Sequence, residues 1–561
     1  MVGKLLGNTG NSQPQEFNMK NMDNRQWWRG GVFYQVYPRS FQDSNHDGIG
    51  DLPGIISRLD YIASLGVDAI WVSPFFKSPM ADFGYDVADP CDVDPMFGTL
   101  DDFDRLLSEA HRRDLRIIID QVPSHTSVEH PWFQESRQSR DNPKADWYVW
   151  VDAREDGSPP NNWLSIFGGV AWQWEPRRGQ YYLHNFLTEQ PDLNFHNPDV
   201  VDAVLDNLRF WLDRGVDGFR LDAINFCYQD KLLRDNPAKP AHLRTGRGFS
   251  PDNPYAFQYH YYNNTQPENL AFIERVRTLM DAYPGTTTLG EISAEDSVAT
   301  MAEYVEPGRL HMSYSFELLT DDFSASYIRE TVERMEQKLG SGWACWAIAN
   351  HDVERVISRW GNGKPNAEFA SMLTAMLCSL RGSICLYQGE ELALPEAEVA
   401  YEQLQDPYGI AFWPNFKGRD GCRTPMPWDD SAGADFTQGE PWLPIPETHR
   451  KLAVSLQEQD PQSPLQRFRK LLAWRRQQPA LAHGSLTFLD APEPVLMLLR
   501  EHQGETLLAA FNLGDKAINL PLPEELKNHQ PINCPGPVNG EIKAGQIDLP
   551  AYGVVFAGYT G

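Results

Sequence analysis

Along most of the chain, short apolar segments alternate with amphipathic segments, and this alternation restricts the possible folds more than any other feature. Helical stretches such as 200–212 repeat apolar residues at the i, i+3, i+4 spacing of one buried helix face. Eight candidate strands, rich in β-branched and aromatic residues, lie at 31–38, 67–74, 115–122, 216–222, 286–292, 310–318, 345–352 and 382–389. Strands that alternate with helices form a parallel sheet, and eight such units predict an α/β fold, a closed (β/α)8 TIM barrel.

Interruptions of this rhythm divide the chain into predicted domains. The segment after the third strand is too long for a simple loop and predicts a small inserted domain, and the strand-like end of the chain predicts an all-β C-terminal domain. The predicted boundaries are a flexible tail at 1–26, the first part of the barrel at 27–122, the inserted domain at 123–193, the second part of the barrel at 194–484 with an excursion at 390–450, and the C-terminal β domain at 485–561.

The charge and the cysteine content exclude some partners and favour one compartment. Lys and Arg total 49 against 77 Asp and Glu, and the formal net charge of −28 repels nucleic-acid phosphate and anionic membrane surfaces. We therefore expect neither a nucleic acid nor a membrane as a partner. The seven Cys form no CxxC pair, residues 1–26 lack the apolar core of a signal peptide, and no apolar run is long enough to span a bilayer. These features predict reduced thiols and a cytoplasmic location.

Charged and imidazole side chains cluster where the predicted strands end. Strand three ends near Asp120, with His125 just beyond it. Arg220 and Asp222 end strand four, Glu291 ends strand five, and His351 and Asp352 end strand seven. The carboxyl ends of barrel strands meet at one rim, where active sites form. Buried charges cost several kcal/mol unless they are paired, so these side chains are expected to pair with each other or to take part in chemistry.

Glycoside hydrolysis is the chemistry that best suits such a rim, because it uses two carboxyl groups with different roles. Arg220 is expected to keep Asp222 ionised for attack, while a less well paired Glu291 keeps its proton as the acid. Structural alternatives exist for each residue taken alone. Arg220 and Asp222 could be a structural ion pair, His125 a hydrogen-bonded core histidine, and Asp352 a helix cap.

Several motifs then resemble one known family. The stretches GFRLDAINF, LGEIS, ANHDV and DQVPSHT resemble the four strand-end motifs of glycoside hydrolase family 13, the α-amylase family. QPDLN at 190–194 and RDGCRTPMPW at 419–428 resemble signatures of its oligo-1,6-glucosidase and α-glucosidase branch. The likeness extends from about Trp27 to the end of the chain.

The resemblance implies a role for individual residues. Asp222 would be the nucleophile, Glu291 the general acid and then base, and Asp352 a third catalytic carboxylate that binds sugar hydroxyls. The substrate-binding residues implied are Asp82, Tyr85, His125, Phe167, Phe186, Arg220, Ala223, His351 and Arg419. For a retaining double displacement, the carboxyl groups of Asp222 and Glu291 are expected about 5–5.5 Å apart.

An acidic loop near the N-terminus is a candidate metal site. Asp43, Asn45, Asp47 and Asp51 occupy alternating positions around a glycine, a spacing that resembles the start of an EF-hand loop without its distal glutamate. The resemblance to family 13 implies a structural Ca²⁺, or Mg²⁺, that also binds the backbone oxygen of Ile49. No organic cofactor is expected. The alternative is an acidic surface turn that binds no metal.

The resemblance also implies a substrate class. We expect an exo-acting, retaining α-glucosidase for short α-glucosides such as maltose, sucrose and short oligosaccharides, with transfer of glucose to acceptor alcohols or sugars. The small residue Ala223 favours α-1,4 linkages, and eight aromatic residues within 225–262 are expected to cover the leaving-group side.

Other functions remain open from the sequence. The alternatives within the family are an oligo-1,6-glucosidase, a sucrose hydrolase and a sucrose isomerase, although the charged loop of the isomerases does not occur within 317–345. A non-enzymatic alternative is a transporter-associated subunit, but such relatives lack the catalytic set that this chain carries.

Overall fold

A barrel of eight parallel strands forms the centre of the computed structural model, which describes residues 26–244, 252–361, 363–364, 366–534, 536 and 539–560. The strands are β1 (Val32–Val36), β2 (Ala69–Val72), β3 (Arg116–Gln121), β4 (Gly218–Leu221), β5 (Thr287–Ile292), β6 (Met312–Ser315), β7 (Cys345–Trp346) and β8 (Ser383–Tyr387). They pair in the order β6–β5–β4–β3–β2–β1–β8–β7, and a parallel bridge between Ser313 and Ala344 joins the two ends of this order. The predicted (β/α)8 barrel is confirmed.

Helices follow the barrel strands, and further helices lie in the predicted insertion and in the excursion after β8. They span Leu52–Ser57, Leu59–Leu65, Leu100–His111, Pro131–Ser136, Pro198–Asp213, Asn269–Asp281, Ser297–Tyr304, Ala325–Leu339, Val356–Arg359, Ala367–Leu377, Pro407–Phe412, Glu447–Arg450, Val454–Gln459, Pro464–Arg475 and Pro479–His483. The helix predicted over 200–212 is observed as Pro198–Asp213, because the Asn197 side chain accepts the backbone N–H of Asp199 and starts the helix at a proline.

The observed strands are shorter than the predicted ones, chiefly at their carboxyl ends. Strand seven, predicted over 345–352, is extended only over Cys345–Trp346, and His351 and Asp352 lie in the loop that follows. Asp222 likewise comes directly after β4. The polar rim residues therefore sit on the loops just beyond the sheet, where their side chains can turn toward the barrel mouth.

Two apolar layers position this rim. One layer fills the space between the sheet and the helices. The other fills the barrel interior and includes Phe33, Trp71, Ile118, Leu289, Met312, Tyr314, Cys345 and Cys385. Toward the mouth the interior becomes polar, starting where the Trp71 indole N–H donates to the Asp120 carboxylate at 2.7 Å.

Smaller antiparallel sheets occupy the regions predicted outside the barrel. In the predicted insertion, Gln180–Leu183 pairs with Trp150–Val151 and with Trp172–Glu175. The C-terminal region contains β9 (Ser485–Leu489), β10 (Val495–His502), β11 (Glu505–Asn512), β12 (Ile518–Pro521), β13 (Gln530–Pro531), β14 (Glu541–Lys543), β15 (Gln546–Leu549) and β16 (Val554–Thr560). They form one sheet in the order β9–β10–β11–β16–β13 and a second in the order β12–β15–β14. The predicted tail at 1–26 lies outside the described residues, apart from Gln26.

The thiols are reduced, as expected from the sequence. Each of the seven cysteines is a free thiol, and six of them are buried. Among the helices of the described residues, none is long and apolar enough to cross a membrane.

Candidate active site

One buried arginine connects three carboxylates at the barrel mouth. The guanidinium of Arg220, on β4, donates through Nη1 to Asp120 and to Asp222, each at 2.6 Å, and through Nη2 to Glu291 at 2.5 Å. The Arg220 side chain is fully buried. The sequence predicted the pair with Asp222, and the structure adds that Arg220 is shared with two further carboxylates.

Strand register explains why these groups meet. Asp120 on β3 lies opposite Arg220 on β4, and Glu291 on β5 lies two residues beyond the partner of Arg220. After Asp222 the chain turns sharply, since Ala223 has a φ of 42°. This turn directs the Ala223 N–H toward Glu291, which accepts it at 3.1 Å.

A second arginine forms the opposite wall. Arg419, from the segment after β8, donates to Asp82 at 2.7 Å, to Asp352 at 3.2 Å and to Asp406 at 2.9 Å. Arg423 also donates to Asp352, at 3.1 Å. Asp406 accepts both the side chain and the backbone N–H of Arg419 and so fixes its orientation.

Two histidines lie beside the carboxylates and are neutral. Nδ1 of His351 accepts the Gln35 amide at 2.7 Å, so the ring proton is on Nε2, which lies 2.7 Å from the Tyr85 hydroxyl. The rings of His351 and Tyr85 are stacked. Nε2 of His125 lies 3.1 Å from the Tyr85 carbonyl oxygen and 3.2 Å from the Gln190 amide nitrogen. Burial lowers the pKa of His125 to about 4.

These groups surround a pocket with about 820 Å³ of empty space, part of it open to solvent. The predicted site residues in its wall are Asp82, Tyr85, His125, Phe167, Phe186, Asp222, Ala223, Glu291, Asp352 and Arg419. Arg220 and His351 lie behind this wall and act on it through their hydrogen bonds. A mostly apolar wall with a few convergent polar groups is typical of small-molecule sites.

Further wall residues were not predicted. They are Ile166, Gln190, Phe226, Ser293, Phe316, Val353 and Tyr408. Gln190 begins the QPDLN stretch, Phe226 ends GFRLDAINF, and Ser293 and Val353 end LGEIS and ANHDV, so a local signal existed for these four. Ile166 is next to the predicted Phe167, whereas nothing in the sequence around Phe316 or Tyr408 indicated the pocket.

The aromatic segment at 225–262 contributes less to the pocket than expected. Phe226 lines the pocket. Tyr228 and Tyr255 are buried in other contacts, whereas Tyr261 is exposed and stacks on Tyr259. Phe249 lies outside the described residues.

The two central carboxyl groups differ in acidity. Burial raises the pKa of Asp222 to about 7, against the opposing effect of Arg220. Burial raises the pKa of Glu291 further, to about 8, with Asp222 and Asp352 adding to the rise. Arg220 favours the ionised form of Asp222, as predicted, but burial has the larger effect. Glu291 is the carboxyl group of this pair that holds its proton more tightly.

Asp352 differs from these two groups, because its pKa is lowered and not raised. Burial favours its protonated form, but the positive charges of Arg419 and Arg423 outweigh that effect and hold the pKa of Asp352 below its usual value. Asp352 is therefore an anion across the range in which Asp222 and Glu291 titrate, and it can accept hydrogen bonds from sugar hydroxyls.

The acidic loop has the right kind of donor atoms for a hard cation. Asp43 accepts the N–H of Gly48 and the Thr437 hydroxyl, and Asp51 accepts the N–H of Gly54. Carboxylate and amide oxygens at Asp43, Asn45, Asp47 and Asp51 suit Ca²⁺ or Mg²⁺. Within the described residues no group of three or more His, Cys, Asp or Glu is arranged to hold a metal. The metal site stays a prediction.

Comparisons with known proteins agree with this geometry. The alpha amylase catalytic domain matches residues 35–484, and the maltogenic amylase C-terminal domain matches residues 486–556. A "probable alpha-glucosidase" of Rhizobium meliloti (strain 1021) is 54% identical over 537 residues, which are 95% of this chain and 97% of the relative.

Two solved structures share the fold of this chain. An alpha-glucosyl transfer enzyme, XgtA, has a crystal structure whose sequence is 66% identical to this chain. The two structures superpose with a TM-score of 0.94, over 95% of this chain and 99% of the XgtA chain. The trehalulose synthase MutB from Pseudomonas mesoacidophila MX-45 is 32% identical, with a TM-score of 0.85 over 95% and 99% of the two chains. The chain belongs to the α-amylase family of glycoside hydrolases.

Proposed function

We propose that this protein is a retaining, exo-acting α-glucosidase. It releases α-glucose from the non-reducing end of short α-glucosides, prefers α-1,4 linkages, and transfers glucose to alcohols or sugars as well as to water. The proposal is supported by the similarity to a probable α-glucosidase and to an α-glucosyl transfer enzyme. Its substrates would be maltose, sucrose and short oligosaccharides.

The observation that carries this proposal is the bridge from Arg220 to both Asp222 and Glu291. A single planar guanidinium that contacts both carboxylates keeps them close together. Retaining enzymes need such proximity, because their second carboxylate attacks the sugar directly and leaves no room for a water molecule between them.

Asp222, Glu291 and Asp352 each have a separate role in the proposed reaction. The Asp222 carboxylate attacks the anomeric carbon while Glu291 gives its proton to the departing glycosidic oxygen, and a covalent glucosyl ester forms. In the second step, Glu291 takes a proton from water or an acceptor alcohol, whose oxygen attacks the anomeric carbon and releases Asp222. Asp352 accepts hydrogen bonds from the sugar hydroxyls throughout.

The closed end of the pocket supports exo action. The ion pair between Arg419 and Asp82 joins the segment after β8 to the loop after β2. A polysaccharide chain could not continue through this wall, so one terminal glucose is the expected occupant. The Phe167 ring lies 5.1 Å from the Arg419 guanidinium carbon and adds an apolar surface for the sugar.

The proposal is tested first by product analysis. Maltose, isomaltose, sucrose and maltotriose are each incubated with the protein, and the released sugar is followed by NMR. The expected product is α-glucose at first, with maltose cleaved faster than isomaltose, and with glucosides of an added alcohol. Release of β-glucose at the start would contradict the retaining mechanism.

Replacement of the nucleophile gives a matched control for that test. Asp222→Asn keeps the shape of the side chain but removes the attacking charge, so kcat should fall by about four orders of magnitude or more. A retained fold, measured by the melting temperature, separates lost chemistry from lost structure. Substantial residual turnover in Asp222→Asn would assign the nucleophile to another residue.

Linkage preference is expected to depend on Ala223. Ala223→Val places a β-branched side chain in the pocket wall and should raise the ratio of isomaltose to maltose cleavage by about tenfold. Because the φ of Ala223 is 42°, valine is also strained there, so the melting temperature is measured in parallel. Ala223→Ser is the unbranched control. An unchanged ratio in Ala223→Val would reject this role.

The pH profile should depend on Asp120. The negative charge of Asp120 adds to the rise in the pKa of Asp222, so Asp120→Asn should lower that pKa. The acidic limb of kcat/KM, where Asp222 loses its proton, should move to lower pH by about one unit, while neutral asparagine can still accept the Trp71 N–H. If the acidic limb does not move in Asp120→Asn, the pKa that sets this limb belongs to a group other than Asp222.

We also propose that the acidic loop holds a structural Ca²⁺, or Mg²⁺, through Asp43, Asn45, Asp47, Asp51 and the backbone oxygen of Ile49. Chelation should lower the melting temperature by roughly 5 °C, because a bound cation stabilises only the folded state. Adding Ca²⁺ back should restore it. Asp47→Ala, at an exposed position, should show no further loss on chelation. Equal melting temperatures with and without chelator would leave the loop as an acidic turn.

A further inference from the structure

A second cavity lies behind the catalytic pocket, on the outer side of the barrel sheet. It has about 440 Å³ of empty space, part of it open to solvent, between the end of β3 and the helix Pro198–Asp213. Phe76, Val204 and Leu208 form part of its apolar wall, and Gln121 and His130 contribute polar groups. We call this space the rear cavity.

Gln121 has an unusual position in this wall. Side chains alternate along a strand, and Asp120 points into the barrel toward Arg220, so Gln121 points outward to the layer between sheet and helices. Gln121 is 4% exposed, and its Nε2 has no hydrogen-bond partner among the described residues. A buried amide without a partner is destabilising, and a molecule in the cavity that formed a hydrogen bond with the amide would remove this cost.

The polar groups of the rear cavity are uncharged. Nδ1 of His130 accepts the Trp132 N–H at 3.0 Å, which leaves the ring proton on Nε2 as a donor. Burial and the nearby Lys144 lower the pKa of His130 to about 4, so the ring is neutral near pH 7. The remaining polar wall residues, His125, Thr126 and Asn207, are also neutral. An ion would find no partner here, whereas a small neutral molecule would.

We propose that the rear cavity binds a short-chain alcohol, whose hydroxyl pairs with the Gln121 amide and whose alkyl part packs on Phe76, Val204 and Leu208. A hydroxyl both donates and accepts, so it satisfies the amide in either orientation. Solvent water would satisfy Gln121 but would leave the apolar wall exposed to water, and an alkyl group removes that cost. The proposal does not depend on the proposed glucosidase activity, because the cavity variants Gln121→Leu and Val204→Phe, and not the glucose added to fill the catalytic pocket, assign the binding to the rear cavity.

The rear cavity is adjacent to the catalytic pocket through one residue. His125 contributes to the wall of both spaces. An alcohol in the rear cavity would therefore pack against the side of His125 that faces away from the sugar. Occupancy of one space should change affinity in the other by the same factor in both directions, as linkage requires.

The binding is measured by ¹⁹F NMR with 2,2,2-trifluoroethanol and full-length protein, in the presence of saturating glucose to occupy the catalytic pocket. We expect a saturable shift that 2-propanol reverses by competition. Gln121→Leu keeps the volume but removes the amide, and should weaken binding about tenfold. Val204→Phe fills the cavity and should abolish binding. Gln138→Leu, at an exposed glutamine outside the cavity wall, is the matched control and should bind as the unmodified protein does.

Three results would overturn the proposal. They are no saturable shift with glucose present, equal affinity in the unmodified protein and in both cavity variants, or a crystal soaked in 2-propanol that holds only water beside Gln121. If Gln121→Leu fails to fold, Val204→Phe and the crystal soak still decide the matter. In the soaked crystal, the expected result is an alcohol oxygen within hydrogen-bond distance of the Gln121 amide.

Discussion

A single buried positive charge, that of Arg220, is shared by Asp120, Asp222 and Glu291, and the properties of the barrel mouth depend on this imbalance. One cation cannot compensate three anions in a site of low dielectric, so some of the carboxyl groups keep protons. Burial raises the pKa values to about 6 for Asp120, about 7 for Asp222 and about 8 for Glu291. The order of these values separates a group that can attack from a group that can donate a proton.

The second arginine cluster shows what a different charge ratio does. Arg419 also contacts three carboxylates, Asp82, Asp352 and Asp406, but Arg423 adds a second positive charge on Asp352. The pKa values of Asp352 and Asp406 are lowered despite their burial. Burial still raises the pKa of Asp82, the third carboxylate on Arg419. The same residue types therefore form a proton-holding cluster around Arg220, whereas two of the three carboxylates around Arg419 are held as anions.

The sequence predicted the barrel and the central site because both leave local signals. The spacing of apolar residues in strands and helices predicted the eight βα units. Polar residues at the strand ends predicted Asp222, Glu291 and Asp352 as site residues. The charge order was not predictable, because it depends on Asp120 sharing Arg220 across strands. Nor were Asp406 and Tyr408, which reach the site from an excursion without periodicity. Strand lengths were overestimated because the same apolar residues continue into the rim loops.

The ion pair between Arg419 and Asp82 joins residues that are 337 positions apart in the chain. Asp82 belongs to the second βα unit, and Arg419 follows the last strand of the barrel. During synthesis, the end wall of the pocket can therefore form only after nearly the whole barrel has left the ribosome. A growing chain carries Asp222 long before the end wall of its pocket can close, so hydrolytic activity is expected only once the catalytic domain is complete.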